Sequence, residues 1–149
     1  RRSSDLGLYL KMLEEVLANL SGKIKEQKQT VDIKLTISAY ISSDYINEDR
    51  IRLELYRRLS RANEKNEVYD IQDEMEDRFG KLDTPTKQFI DLIIIKINAL
   101  NNDIKIINNY KTNITIIYNN DKKETIKASS YDDDDLINAI FNYFYDRMK

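Results

Sequence analysis

The spacing of apolar residues changes period repeatedly along this chain, and those changes constrain its fold more than any other feature. Val31, Ile33, Leu35 and Ile37 alternate with polar residues, the two-residue period of a half-buried strand. From Ile51 to Leu100 the apolar positions recur at intervals of three and four, as helices require. After Asn101-Asn102 short β-branched runs take over, "IKII", "NITIIY" and "ETIKA". Asn and Asp turns separate them, and "YNNDKK" reads as a hairpin tip. Helical spacing then returns, with Leu136, Ile137, Ile140, Phe141, Phe144 and Met148 on one stripe. The pattern predicts an α+β fold: several packed helices with a small, mainly antiparallel sheet, forming a single domain over 1–149 without internal repeats.

Polar residues punctuate the helices. An opening helix is expected where Leu6, Tyr9, Leu10, Leu13, Val16, Leu17 and Leu20 fall at helical spacing. Ser4 or Asp5 would cap it and Gly22 would stop it. Asn47 is expected to cap a second helix that turns Ile51, Leu55, Leu59 and Ala62 inward. Asn66 is expected to cap a third, running to Phe79 and ended by Gly80. Thr84-Pro85 opens a fourth, with proline at the first helical position, where its missing N–H does no harm. Phe89, Ile93, Ile97 and Leu100 face inward, while Ile90, Leu92, Ile94 and Ile95 make this helix apolar nearly all round. A central position follows.

Composition narrows the chemistry. A chain of 149 residues can bury about 68–70% of its unfolded surface. Its longest apolar run, "FIDLIIIKI", is broken by Asp91 and Lys96 and is too short to span a bilayer. Cysteine and histidine are absent, which excludes disulfides, the usual zinc sites, thiol nucleophiles and histidine-based triads. The glycines are Gly7, Gly22 and Gly80, and they form no phosphate-binding loop. "YDDDDL" points four carboxylates in four directions on a helix; its acids sit at the positive N-terminus, with Arg147 and Lys149 at the negative end. No catalytic, cofactor or metal residue is predicted. The chain opens at Arg1 rather than Met, so an excised segment is expected.

The charges are segregated rather than mixed. Net charge is −2, which gives no global attraction to nucleic acid. Yet Asp70, Asp73, Glu74 and Asp77 fall within about a third of one helix circumference, opposite Val68, Ile71, Met75 and Phe79. Acid near a helix C-terminus opposes the macrodipole, costing Asp77 about 0.3–1 kcal/mol. Arg78, four residues after Glu74, offsets part of this. The stripe is either a solvated face or a surface awaiting a positive partner. The preceding helix, "RIRLELYRRLSR", holds five arginines and one glutamate, with Arg50, Arg57 and Arg61 along one side. These arginines can track phosphates or pair with the acidic helix that follows. The second reading is favoured because the rest of the chain is acidic.

Three stretches in order, "LGLYLKMLEEVL", "SDYINEDRIRLELYRRL" and "EMEDRFGKLDTP", resemble the C-terminal domain of bacterial transcription-repair coupling factors. The most specific marks are Tyr45 and Ile46 followed by Arg52, Tyr56 and Arg58, and the motif Asp77-Arg78-Phe79-Gly80. The resemblance covers Leu6 to about Leu100. It implies a cytoplasmic bacterial parent with an ATP- and magnesium-dependent, RecG-type motor upstream. That parent acts on duplex DNA and stalled RNA polymerase and recruits the repair protein UvrA. It further implies that this domain docks on the parent's N-terminal UvrB-like module, covering the surface UvrA would use and restraining the motor. By motif, Glu74 and Asp77 are then the docking acids, with Asp70 and Asp73 flanking them. The alternative is a nucleic-acid-binding module using Arg50, Arg57 and Arg61. Without its partner, the exposed docking face is also expected to permit a dimer of the fragment.

Overall fold

The computed structural model describes residues 30–147; the helix expected near the N-terminus, with its Gly22 stop, lies outside them, as do Met148 and Lys149. The described residues form two compact units, 39–93 and 30–38 with 94–147. The architecture is α+β, as the periodicity predicts.

The first unit holds α1 (Asp49–Arg61), α2 (Lys65–Phe79) and the start of α3 (Thr84–Asn101). Leu55, Tyr56 and Leu59 of α1, Val68, Ile71 and Met75 of α2, and Phe89, Ile90 and Ile93 of α3 are buried. Tyr56 meets Phe89 edge-on at 5.0 Å between ring centroids. Truncating a fully buried side chain such as Leu59 to alanine costs about 2–5 kcal/mol.

All three helix starts differ by a residue or two from the sequence expectation, and in each an acid takes the capping place. Glu48, not Asn47, precedes α1, with Asp49 in its first turn. Glu64, not Asn66, precedes α2; the Glu67 carboxylate reaches back to accept the N–H groups of Asn63 at 2.8 Å and Glu64 at 3.0 Å. That is the return half of a capping box, and it satisfies donors no helix bond can reach. For α3 the cap is Asp83, whose carboxylate accepts the Thr86 N–H at 3.2 Å. Thr84 is then the first helical residue, and Pro85 the second, where an N–H would also be orphaned.

The second unit is a four-stranded sheet with the rest of α3 and with α4 (Asp133–Arg147). Strands β1 (Asp32–Lys34), β2 (Ile104–Tyr110), β3 (Asn113–Tyr118) and β4 (Lys123–Lys127) lie in that order. The β2–β3–β4 meander is antiparallel, while β1 adds to β2 in parallel, with Asp32 opposite Ile106. The sheet is thus mixed, and the strand expected over 31–37 keeps ladder pairing for only three residues. Beyond it, the Asn109 side chain replaces the ladder by accepting the Thr36 N–H at 2.9 Å and donating to the Thr36 hydroxyl. The alternation persists all the same: Val31, Ile33, Leu35 and Ile37 pack against the core formed by Ile95, Ala99, Ile107, Ile116, Leu136 and Ile140 among others. The 118–123 tip turns as expected, with Asp121 at φ +70°.

Helix α3 is buried nearly all round, from Thr86 through Ala99, as its composition predicts. Two acids in the first turn of α4 have structural partners: Asp133 accepts the Ser38 N–H at 3.0 Å, and Asp135 accepts the Ser130 hydroxyl at 2.6 Å. No described helix is long and apolar enough to cross a membrane. Among the described residues no group of three or more carboxylates is placed to hold a metal ion.

Candidate docking surface

The residues singled out by motif converge on the first unit, where they fasten α1 and α2. Arg52 is buried, and its guanidinium donates to the Ile46 carbonyl at 2.5 Å and the Asp49 carboxylate at 2.6 Å. A buried cation needs such partners, and these ones fix the loop leading into α1. The Tyr56 hydroxyl accepts the Ile41 N–H at 2.7 Å and holds the same loop further back.

The C-terminal end of α2 is held from the other side. Gly80 sits at φ +90°, ψ −173°, a conformation favouring glycine, and its N–H closes the helix on the Glu76 carbonyl at 2.9 Å. The Tyr45 hydroxyl donates to the Gly80 carbonyl at 2.5 Å, and the Tyr45 ring meets Phe79 edge-on at 6.1 Å. Burial pushes the Tyr45 hydroxyl up to about 12, helped by the nearby charges of Glu76 and Asp83. The Arg78 guanidinium lies 4.9 Å from the Phe79 ring centroid. Asp77-Arg78-Phe79-Gly80 is therefore a helix-ending device, and Tyr45 is its latch.

Between the helices runs a two-pronged ion pair. Both Arg58 nitrogens donate to the Glu74 carboxylate at 2.8 Å, and Arg78 approaches the same carboxylate at 3.4 Å. The hydrogen bonds from Arg58 hold the Glu74 carboxyl below its usual range, and the same contact raises Arg58. Such bidentate geometry is the stronger form of charge pairing.

This pair divides the acidic stripe. Glu74 is engaged within the unit and only half-exposed. Asp70, Asp73 and Asp77 are exposed, and among the described residues no hydrogen bond or ion pair holds their side chains. The expected pairing of the arginines with the acidic helix is met by Arg58 alone. Arg50, Arg57 and Arg61 fall within about 40° of arc on α1, away from its buried side, with no such ion pair among the described residues. Two oppositely charged ridges thus run along neighbouring helices, with the Arg58–Glu74 pair in the seam.

Sequence reasoning missed a second cluster, in the other unit. The Tyr143 hydroxyl donates to the Glu124 carboxylate and meets the Tyr118 hydroxyl. Arg147 covers the Tyr118 and Tyr143 rings at 5.3 and 5.5 Å and lies 3.4 Å from Glu124. Burial pushes the Tyr143 hydroxyl up, and its hydrogen bond holds Glu124 down. The partners lie too far apart in sequence for any local spacing to reveal them; together they fasten α4 to β4.

A model of the TRCF domain matches residues 35–129. The chain belongs to the TRCF domain family. The match runs through β2, β3 and β4, well past Leu100, where the motif resemblance stops. This TRCF domain is 42% identical over 136 residues to the transcription-repair-coupling factor of Helicobacter pylori strain 26695, covering 91% of this chain and 14% of that protein. It is 32% identical over 103 residues to the factor of Staphylococcus aureus strain USA300, covering 67% of this chain and 9% of that protein. The chain therefore spans a small part of the curated relatives it matches. Its fold is similar to a crystal structure of the C-terminal domain of a transcription-repair coupling factor. The TM-score is 0.58 at 22% identity, over 61% of this chain and 56% of that one.

Proposed function

We propose that this TRCF domain is the regulatory C-terminal domain of a transcription-repair coupling factor, a lock that docks on the parent's N-terminal UvrB-like module. Docked, it covers the surface UvrA would use and restrains the ATP-driven translocase that clears stalled RNA polymerase from duplex DNA. The domain contributes no catalytic group of its own; nucleotide and magnesium belong to the motor.

The observation that carries this reading is the acidic ridge Asp70, Asp73 and Asp77, exposed and unpaired among the described residues, on a helix fixed at both ends. Glu74, neutralised by Arg58 and Arg78, positions that helix rather than supplying net charge. Exposed ion pairs contribute about 0.2–1 kcal/mol each. Three of them bind weakly between separate proteins, and tethering in the parent strengthens the contact by making it intramolecular. A lock built this way closes in cis and still releases.

The test is calorimetric titration of the chain against the UvrB-like module, beside Asp73→Ala/Asp77→Ala and Glu74→Ala/Asp77→Ala variants. Salt-sensitive binding lost in the first variant is expected. In the full-length factor, reversing Asp73 and Asp77 to lysine should raise both UvrA binding and ATPase rate. Unchanged values of both would sink the proposal.

A further inference from the structure

The acidic ridge and the basic ridge lie on neighbouring helices joined by the Arg58–Glu74 pair. Helices in contact pack with axes about 8–10 Å apart, and α1 and α2 are joined through the Arg58–Glu74 pair. A stable protein interface covers about 800 Å² per side, a patch much wider than one helix. A patch of that width centred on Asp70, Asp73 and Asp77 reaches across the Arg58–Glu74 seam toward Arg50, Arg57 and Arg61.

Those arginines would be disfavoured under a uniformly basic partner. Like charges brought together at an interface repel, and the penalty grows as water is excluded. On α1 Glu54 lies close to the arginine ridge and is the one acid within the helix beyond its first residue. It cannot offset three guanidinium groups.

We infer that the docking contact is bipolar: the partner surface carries a basic band facing Asp70, Asp73 and Asp77 and, beside it, an acidic band facing Arg50, Arg57 and Arg61. This inference rests on the docking function proposed above and adds to it a second band of contact and a unique orientation. A partner turned by half a revolution about the interface normal would set like charge against like at both ridges. A nucleic acid is the poorer occupant, because phosphates drawn to the arginines would lie beside three carboxylates.

The test exploits a difference in sign. Arg57→Glu/Arg61→Glu and Asp73→Lys/Asp77→Lys variants of the chain are titrated against the UvrB-like module at about 50 and about 200 mM salt. Melting curves confirm that each variant folds, as expected for side chains on the outward faces. A bipolar contact predicts that both variants weaken binding about tenfold or more at the lower salt. If the arginine reversal strengthens binding or leaves it unchanged while the aspartate reversal abolishes it, the partner face is purely basic and the inference falls alone. Binding indifferent to the aspartates overturns the docking function itself, and no binding by the unaltered chain overturns both. A duplex DNA titration runs alongside; DNA affinity lost in the arginine variant, with module binding intact, assigns the ridge to phosphates and also overturns the inference.

Discussion

Arg58 grips Glu74 with both guanidinium nitrogens at 2.8 Å, tying α1 to α2 across the seam between the two charged ridges. The pair is more than a third exposed on each side, so solvent screens it. Its role is to link α1 to α2 at one point between the ridges.

Removing either partner should have a modest and coupled effect. Arg58→Ala and Glu74→Ala are each expected to cost about 0.2–1 kcal/mol, and the double variant little more than one of them. Urea unfolding of the four proteins gives the coupling directly. Strict additivity would show that the pair does not link the helices.

The same pair gives stability a pH dependence of known sign. Glu74 has a folded value below its unfolded one, so its contribution is present in full above the ordinary glutamate range. It is lost as pH falls through the folded value. The stability difference between the unaltered chain and Glu74→Gln should therefore be flat near neutrality and shrink as acid is added. Melting temperatures measured from about pH 7 down to about pH 3 check this. A gap that widened with acid would contradict the lowered value.

Gly80→Ala should destabilise through the backbone alone. No atom lies within 4 Å of where the new methyl would sit, but φ is +90°. The expected cost is about 1–3 kcal/mol, read as a lower melting temperature with the fold intact by circular dichroism. A neutral result would mean that the end of α2 relaxes without the glycine.

The parts of this architecture that follow from one-dimensional spacing were legible in the sequence. Helix and strand periods, the all-round apolar α3, the buried side of α2 and the 118–123 turn depend on near neighbours, and each is where its pattern puts it. The acidic stripe was legible for the same reason. What spacing does not carry is which charge meets which: Arg50, Arg57, Arg58 and Arg61 are chemically alike, and packing alone selects Arg58 for Glu74. Nor does it carry the parallel pairing of β1, which depends on residues far along the chain. The capping positions were misjudged because a glutamate capping box and an aspartate serve at α2 and α3, while the Glu48 side chain before α1 makes no cap hydrogen bond. The family motif has an equally physical meaning: Arg52, Tyr56, Arg58 and Tyr45 are fasteners, and the exposed ridges stand on what they hold.

The division of the chain into units has a consequence for how it is made. Within residues 39–93 the fastening contacts are short-range, as Arg58 meets Glu74 only 16 residues later. The other unit is split around them: Thr36 waits for Asn109, 73 residues later, before its edge of the sheet can close. Such long-range closure is slow. The contacts between the two charged helices are thus available early in synthesis, whereas the segment that holds β1 stays open until residues 106–108 have been made.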